Sequence, residues 1–493
     1  MRPIVATALF SLTALAGTAL AAPHAPGCNH AANVNHAPGV EYAHACWPGA
    51  DGTLTGTLIE IQHDDEQMAE LRQLLDLDFT ANSRGDVSGP KYIDIVFVGD
   101  GYTASEQALF QSDVNAIEAS LFQFEPFITY KSFFRVHRVE VISNDSGVDN
   151  DPTDGISRDT ALDMGFFCGG TERALCVNVS KALTAARNGV SSDVDQVIAI
   201  ANTTKYGGVG YPSSNLATSS GRNSSATQIV IHELGHSLGN LADEYTYGGN
   251  DTYTGGEHSR ANLSIYDQAT QVAQQRKWHR WMGPASPGFD GPVATYEGGG
   301  YSQFGIFRPT NNSMMRSLGR PFSPINAEAL IQEFYSEIRP IESATPVTPD
   351  PDADSTLVVV PAQPVGHDLD ITWFVNGDEI AGTAGQTSLD LASLNLPADA
   401  ESEISVTVVD NTPWVRDPAI RDLELTDVRT WTINRCVLLA DIDGSGELNF
   451  FDVSSFVMAF QIQDPLGDFN SDGIYNFFDF VDFIDAFVNP CGG

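Results

Sequence analysis

Short apolar runs alternate with amphipathic stretches between residues 90 and 205. Residues 93–98 are typical of a buried strand, and the spacing from residue 106 to about 124 predicts a helix. Residues 134–141 and 197–201 predict two further strands. Because strands alternate with helices, this part of the chain is expected to form an α/β layer with a mixed, mostly parallel sheet.

The pattern changes after residue 343. Residues 346–354 combine proline with aspartate, which predicts a stiff, charged linker. The runs that follow are short and β-like, and Trp373 lies within one of them, where a sandwich core holds a large aromatic side chain. These runs are 357–360, 369–375, 403–409 and 429–433. The linker and these four β-like runs together predict an all-β immunoglobulin-like sandwich over residues 344–434.

The first residues are typical of a signal peptide. An apolar run leads into small residues, so we expect cleavage after Ala21 and a secreted, extracellular protein. The run is too short for a convincing membrane span, and no other stretch approaches that length. Residues 22–88 predict an irregular leader and a small cap, with a strand near 53–61 and a helix near 65–75. Loose metal binding is one explanation of the leader histidines, but they are interpreted as solvated loop residues: His24, His30, His36 and His44.

The strongest chemical signal is the stretch His-Glu-Leu-Gly-His-Ser-Leu-Gly-Asn-Leu-Ala-Asp-Glu-Tyr at residues 232–245. His232 and His236 lie four residues apart, so on a helix they project from one face and can share a metal ion. Glu233 lies between them, where it can take a proton from a metal-bound water. The apolar residues around them predict a buried helix with one ligand-bearing face.

A catalytic zinc ion needs three protein ligands and an open position, and two histidines alone hold it weakly. Gly239 and Asn240 accept a positive φ, so the chain can turn back after the helix. A metzincin-type protease carries a third histidine where this chain has Ala242, so we expect Asp243 to supply the third ligand. The alternatives that remain open are Glu244, His258 and His279.

A second signal lies about 80 residues further on. The glycine-rich segment 296–316 ends in a tight turn that contains Met314 and Met315. In metzincins a Met turn lies beneath the metal and packs an apolar floor under the histidines. Two core methionines are the alternative explanation, because Met fills irregular gaps. The position downstream of a zinc helix favours the Met turn.

These features resemble the M64 family of secreted metallopeptidases, which is named after an immunoglobulin A peptidase. The resemblance rests on residues 93–103, on 136–147 with its Asn-Asp-Ser-Gly ending, on the zinc helix through Tyr245, and on 308–316. It implies a zinc-dependent endopeptidase with Glu233 as general base and Met315 as the floor of the site. The zinc ligands that it implies are His232, His236 and Asp243. It does not imply that this protein cuts immunoglobulin.

The C-terminal part contains an internal repeat. Residues 441–452 are echoed by residues 468–479, and both loops carry oxygen-bearing side chains at positions 1, 3, 5, 9 and 12, with glycine at position 6. This is the spacing of an EF-hand loop, in which hard oxygen ligands surround a calcium ion. The candidate calcium positions are Asp441, Asp443, Ser445, Glu447, Asn449 and Asp452, and Asp468, Asn470, Asp472, Ile474, Asn476 and Asp479.

The doubled loop with Asp at position 12 resembles a type I dockerin, which implies a small α module over residues 435–493. Dockerins carry small polar recognition residues near loop positions 10 and 11, whereas this chain has Phe450-Phe451 and Phe477-Phe478 there. The expected partner is cohesin-like or a cell-surface protein, and packing within the molecule is the alternative.

Charge and cysteine content narrow the function classes. The chain has 25 basic and 64 acidic residues, and a net charge of −39 repels nucleic acid and anionic membranes. Six cysteines suit an oxidising compartment. Proximity in sequence predicts the disulfides Cys28–Cys46, Cys168–Cys176 and Cys436–Cys491.

The sequence therefore predicts a multidomain protein. Its regions are a signal peptide (1–21), a leader and cap (22–88), an α/β metzincin-like zinc peptidase domain (89–343), the sandwich (344–434) and an EF-hand-type module (435–493). The predicted function is a secreted zinc endopeptidase that acts on proteins or peptides, with catalytic Zn²⁺ and structural Ca²⁺. The alternative is an extracellular calcium-binding adhesion or scaffold protein whose metallo-domain is inactive, and the intact Glu233 argues against it.

Overall fold

The computed structural model describes residues 40–62, 91–150, 154–191, 193–247, 250–283, 291–348, 351–397, 401–433 and 438–489. The predicted signal peptide, the leader histidines before residue 40 and the predicted cap helix lie outside the described residues. The predicted cap strand lies within them as the second strand of a hairpin, which consists of β1 (Val40–Pro48) and β2 (Leu54–Gln62).

A seven-stranded sheet forms the centre of the molecule, in the order β2-β1-β6-β7-β5-β3-β4. Its further strands are β3 (Ile93–Asp100), β4 (Phe134–Val139), β5 (Gln196–Ala201), β6 (Gly208–Tyr211) and β7 (Leu216–Ser220). Strands β4, β3 and β5 run parallel, as predicted, and β7, which was not predicted, extends the parallel half. The expectation of a mostly parallel sheet is wrong for the other half, because β6 and the N-terminal hairpin add only antiparallel pairs.

Helices cover both faces of this sheet. Along β3, Ile95 and Phe97 point to one core and Val96 and Val98 to the other, as the two-residue period of a strand requires. The first core is closed by α1 (Gln107–Leu121), α3 (Ala226–Ser237) and α5 (Pro324–Glu337), and the second by α2 (Val179–Gly189). A short helix, α4 (Gln268–Gln274), and a hairpin of β8 (Tyr296–Gly299) and β9 (Ser302–Arg308) lie between α3 and α5 in sequence.

Two antiparallel sheets follow. One contains β10 (Ile341–Ala344), β11 (Thr356–Pro361) and β14 (Ser388–Asp390); the other contains β12 (Asp370–Val375), β13 (Asp378–Glu379), β15 (Ser402–Val409) and β16 (Thr426–Ile433). They share one core, in which Trp373 stacks on Trp431 with ring centroids 5.7 Å apart. A short helix, α6 (Pro418–Leu423), precedes β16. The immunoglobulin-like assignment and the region boundaries stay predictions, and β10 begins before the boundary predicted at residue 343.

The seven-stranded sheet with its helices is joined to these two antiparallel sheets by polar contacts. Tyr130 and Tyr335 each donate a hydrogen bond of 2.7 Å to the buried carboxylate of Asp410. Arg339 forms a two-pronged ion pair with Asp427, at 2.9 and 2.6 Å. Because apolar residues of both regions also belong to one continuous core, the sheets are firmly docked on the sheet-and-helix region.

The C-terminal repeat folds as two loop–helix units. Helices α7 (Phe450–Ile462) and α8 (Phe477–Val488) each begin with an asparagine N-cap and a capping box. Phe456 and Phe483 stack with centroids 4.1 Å apart, so the apolar faces of the two helices pack on each other. None of the helices in the described part of the chain has the length and apolar character that a membrane crossing requires.

Candidate metal centre

Helix α3 places the two histidines in the interior. Ile229, Val230 and Ile231 are fully buried and anchor the helix against the sheet. The helix ends at Ser237, and Asn240 takes the left-handed conformation with φ +50°, as its residue type allows. The reversed chain then returns past the helix, which brings residue 243 back to its ligand-bearing face.

Three donor atoms meet at this point. Asp243 Oδ1 lies 3.2 Å from His232 Nε2 and 3.1 Å from His236 Nε2, and the two Nε2 atoms are 3.2 Å apart. Zinc binds such ligands at about 2.0–2.1 Å in a tetrahedron, which separates donor atoms by about 3.3 Å. The triangle of donors therefore has the size that a tetrahedral divalent ion needs.

The outer hydrogen bonds orient both imidazoles for metal binding. His232 Nδ1 lies 2.9 Å from the carbonyl of Met314, and His236 Nδ1 lies 2.8 Å from the carbonyl of Leu241. A carbonyl only accepts, so each neutral ring carries its hydrogen on Nδ1 and directs the Nε2 lone pair inward. These are the outer-shell bonds that metal-ligating histidines make.

The converging donors shift one another's pKa. Burial alone would lower the pKa of His236, but the Asp243 carboxylate raises it to about 9. Burial would likewise raise the pKa of Asp243, yet the two histidines hold it well below its usual range. Two imidazoles and a carboxylate suit zinc, although copper and nickel favour similar donors. The donor set fits the predicted zinc ion.

Glu233 lies next to this triangle and is 1% exposed. Its Oε2 has no hydrogen-bond partner among the described residues, and burial raises the pKa of its carboxyl. Gly210 in β6 makes room for it, because a Cβ at that position would lie 2.1 Å from Oε2. The carboxylate is therefore held in a tight pocket with an oxygen that remains available to a bound molecule.

Glu244 is the neighbour of Asp243 but turns the other way. Its Oε1 accepts hydrogen bonds from the amides of Asn262 and Asn326, at 3.0 and 3.1 Å, and its Oε2 accepts one from Ser313 Oγ at 2.7 Å. These three donors account for both oxygens of a fully buried carboxylate. Between the two acidic alternatives, the geometry favours Asp243 as the ligand. Glu244 has a structural role as an acceptor of buried hydrogen bonds.

The distant histidine alternatives lie in other surroundings. His258 Nδ1 accepts a hydrogen bond from the backbone N–H of Arg260, and burial lowers the pKa of His258 to about 4. His279 Nδ1 lies 3.2 Å from the Arg276 carbonyl, where a short 3₁₀ turn begins. Neither belongs to a cluster of metal-type donors in the described part of the chain.

The Met-bearing turn lies directly under helix α3. Met315 is fully buried, and a Cβ on Gly235 would come within 2.5 Å of its sulfur. Gly235 stands between the two histidines, so the thioether packs against the backbone that carries them. The Met315 carbonyl also accepts the N–H of Glu244, which ties the turn to the ligand segment.

Sequence reasoning missed three residues of the site. Tyr301, in the β8–β9 turn, donates a 2.5 Å hydrogen bond to Asp243 Oδ2. His44 lies on strand β1 with Nδ1 2.5 Å from the Tyr301 hydroxyl and 3.8 Å from Asp243 Oδ2. Its interpretation as a solvated loop residue is wrong, because β1 joins the sheet. The third is Cys46, two residues further along the same strand.

The cysteine predictions have mixed outcomes. The disulfide Cys168–Cys176 is confirmed. Cys46 is a buried free thiol whose sulfur lies 3.6 Å from Glu233 Oε1, so its predicted pairing with Cys28 is wrong. Cys28, and both partners of the predicted Cys436–Cys491 pair, lie outside the described residues. Burial and the nearby Glu233 raise the pKa of the Cys46 thiol well above its usual range.

The two C-terminal loops repeat the same polar geometry. In the first, Asp441 Oδ2 accepts the N–H of Gly446 at 2.7 Å; in the second, Asp468 Oδ2 accepts the N–H of Gly473 at 2.9 Å. Both glycines have positive φ, which the sharp turn at position 6 requires.

The candidate calcium ligands are arranged around these turns. In the first loop, carboxylate oxygens of Asp441, Asp443 and Asp452 lie within 4.8 Å of one another. At position 12, Asp452 and Asp479 accept the N–H of the N-cap asparagines, at 2.8 and 2.7 Å. The other predicted positions lie on the same two loops, Ser445, Glu447, Asn449, Asn470, Asp472, Ile474 and Asn476. Calcium binding by these residues stays a prediction.

A model of the family described as IgA Peptidase M64 matches residues 84–289. The match contains helix α3 and Asp243, and it ends before the Met-bearing turn. It supports the M64 family and, with it, a metallopeptidase that acts on a protein or peptide substrate. No curated protein matches the chain.

Proposed function

We propose that the protein is a secreted zinc-dependent endopeptidase. The observation that carries this proposal is the triangle of His232, His236 and Asp243 donors, with edges of 3.1–3.2 Å, beside the buried Glu233. The M64 match over residues 84–289 supports a metallopeptidase. When bound, zinc would polarise the scissile carbonyl and acidify the attacking water.

The residues of the chain have distinct tasks in this proposal. Glu233 takes the proton of the attacking water and later gives it to the leaving amine, for which its raised pKa is suited. Tyr301 holds the second oxygen of Asp243, so that the first one faces the metal. Met315 supports the backbone between the histidines from below.

Secretion, calcium binding and partner recognition belong to the same proposal. The two acidic loops would bind Ca²⁺ and hold helices α7 and α8 in place. Phe450, Phe451, Phe477 and Phe478 are each at least 65% exposed and lie near the starts of both helices. Such a doubled aromatic surface suits a cell-surface protein partner better than the small polar contacts of a cohesin-like one.

The proposal is tested with casein and with a peptide library. The zinc-loaded protein is expected to cleave both, and cleavage should stop with a zinc chelator and return with zinc. Glu233→Gln should bind zinc normally and lose at least about a hundredfold in rate, since a general base contributes about that much. A Glu233→Gln variant that cleaves at the normal rate would refute the role of Glu233.

A further inference from the structure

Strand β1 places His44 beside the metal centre. His44 lies opposite Leu58 in β2 and opposite Gly210 in β6, so its backbone is held by strands on both sides. Its side chain is 12% exposed, and its ring stacks near that of His236, with centroids 6.0 Å apart. A strand holds a side chain more precisely than a loop does. His44 is therefore firmly placed next to the metal ligands.

Tyr301 connects this histidine to the metal ligands. Its backbone takes the left-handed conformation with φ +67°, which is strained for an aromatic residue and persists only where the surroundings hold it. Its N–H donates to the Tyr245 carbonyl at 3.0 Å, and its carbonyl accepts the N–H of Tyr247 at 3.3 Å. The preceding N–H, of Gly300, donates to the Asp243 carbonyl at 2.9 Å. The strained turn is thus tied to the segment that carries Asp243.

The hydrogen bonds of the Tyr301 hydroxyl have only one possible direction. Its single hydrogen is donated to Asp243 Oδ2 at 2.5 Å, because a carboxylate only accepts. His44 Nδ1 lies 2.5 Å from the same hydroxyl oxygen and therefore has to be the donor of that second bond. A neutral ring with its hydrogen on Nδ1 and a charged ring both satisfy this requirement, so the direction is independent of the charge of His44.

The imidazole does not reach Asp243 directly. The distance from His44 Nδ1 to Asp243 Oδ2 is 3.8 Å, which is too long for a hydrogen bond. Any hydrogen-bonded influence of His44 on this ligand therefore passes through the Tyr301 hydroxyl.

We propose that His44 is a positioning residue of the metal centre, which acts on the ligand Asp243 through Tyr301. This inference rests on the zinc site of the proposed function. A hydroxyl that accepts a hydrogen bond becomes a better donor, so the imidazole strengthens the bond from Tyr301 to Asp243 Oδ2. Asp243 Oδ1 then stays directed at the two histidine nitrogens, 3.1 and 3.2 Å away. We call the series His44, Tyr301 and Asp243 the relay.

A double-mutant cycle in zinc affinity tests the relay. Zinc affinity is measured by competition with a chromophoric chelator, in excess calcium so that the acidic C-terminal loops do not compete. His44→Phe keeps an aromatic ring, removes the donor, and should weaken zinc binding about fivefold. Tyr301→Phe should weaken it about tenfold, and the double variant should bind as tightly as Tyr301→Phe alone, because His44 then has nothing to act through. Independent losses that multiply to about fiftyfold would overturn the inference.

Two further variants separate the hydrogen bond from packing. Asparagine carries its amide nitrogen on Cγ, as histidine carries Nδ1, so His44→Asn can donate to the same hydroxyl. It should bind zinc within about twofold of the wild type. An affinity of His44→Asn as low as that of His44→Phe would overturn the inference. The matched control is His279→Phe, which lies outside the donor cluster and should bind zinc like the wild type; a fivefold loss there as well, about that of His44→Phe, would also count against the relay.

Nitrogen-15 NMR of the zinc-loaded wild type gives an answer even where a His44 variant does not fold. The relay predicts a downfield imidazole N–H signal on Nδ1 that moves upfield in Tyr301→Phe, because its acceptor is lost. If no such signal depends on Tyr301, the inference is overturned.

Peptide hydrolysis separates this inference from the proposed function. Zinc affinity that depends on His44 only while Tyr301 is present, without hydrolysis by the wild type, supports the relay and contradicts the peptidase. Zinc-dependent hydrolysis, with equal zinc affinity in the wild type and His44→Phe, supports the peptidase and overturns the relay. A wild-type chain that binds no zinc overturns both.

Discussion

The adjacent residues Asp243 and Glu244 have different roles, as a metal ligand and as a buried hydrogen-bond acceptor, and this difference gives the sharpest mutational prediction. Glu244→Ala removes the acceptor of three buried donors, on Asn262, Asn326 and Ser313. An unsatisfied buried donor costs about 1–3 kcal/mol, and part of this is offset because a buried charge is removed. We therefore expect Glu244→Ala to lower the free energy of unfolding by about 3–6 kcal/mol.

Glu244→Gln is the matched control. Its amide oxygen still accepts from both asparagines, and its NH₂ group faces the Ser313 hydroxyl, which can accept as well as donate. The expected loss is about 1 kcal/mol. Since Glu244 points away from the donor triangle, this variant should also bind zinc with unchanged affinity.

The assay is urea unfolding of the metal-free variants, followed by tryptophan fluorescence. The transition midpoint of Glu244→Ala should fall well below those of the wild type and Glu244→Gln. Zinc affinity is then measured by competition with a chromophoric chelator. If Glu244→Gln loses zinc as strongly as a ligand variant does, or if Glu244→Ala is as stable as the wild type, the structural role of Glu244 is refuted.

Three further predictions address positioning, pH and calcium. Tyr301→Phe removes the donor to Asp243 and should weaken zinc binding about tenfold in the chelator competition, with the fold intact. Burial and the neighbouring Glu337 and Glu424 raise the pKa of Glu333 to about 7. The Glu333 carboxyl therefore binds its proton more tightly in the folded chain than in the unfolded chain, where its pKa is about 4.3. The stability that this proton contributes is lost as the pH rises from about 4.3 through 7. In thermal melts, the stability of Glu333→Gln relative to the wild type should be higher above pH 8 than below pH 5, by about 1 kcal/mol. An equal relative stability at both pH values would contradict this. Calcium should raise the melting temperature of the wild type much more than that of Asp452→Ala, because the variant lacks the buried position-12 carboxylate. An equal rise in both would contradict calcium binding by the first loop.

Local spacing was sufficient to predict the core of the site. His232, Glu233 and His236 lie within one helical turn of one another, and Asp243 follows after a turn that Asn240 makes possible. Strands β3, β4 and β5 and helix α1 were predicted for the same reason, because their hydrophobic period is local, whereas β7 and α2 were not predicted. The polar geometry at the start of each C-terminal helix also follows from a short motif, an asparagine N-cap and an aspartate three residues later.

Distant contacts could not be predicted in this way. Cys46 and Glu233 are 187 positions apart, and His44 and Tyr301 are 257 apart. Their meeting depends on which edge of the sheet the N-terminal hairpin joins, and periodicity does not encode that choice. His44 and Cys46 lie two residues apart, as neighbours on one face of a strand do, but the surrounding composition predicted an irregular leader, so strand β1 was not predicted.

Native mass spectrometry of zinc binding tests the central claim most directly. The account predicts one tightly bound zinc ion per wild-type chain and none for Asp243→Ala at the same free zinc concentration, with excess calcium in both samples. An Asp243→Ala chain that retains a full equivalent of zinc, or a wild-type chain that binds none, would contradict it.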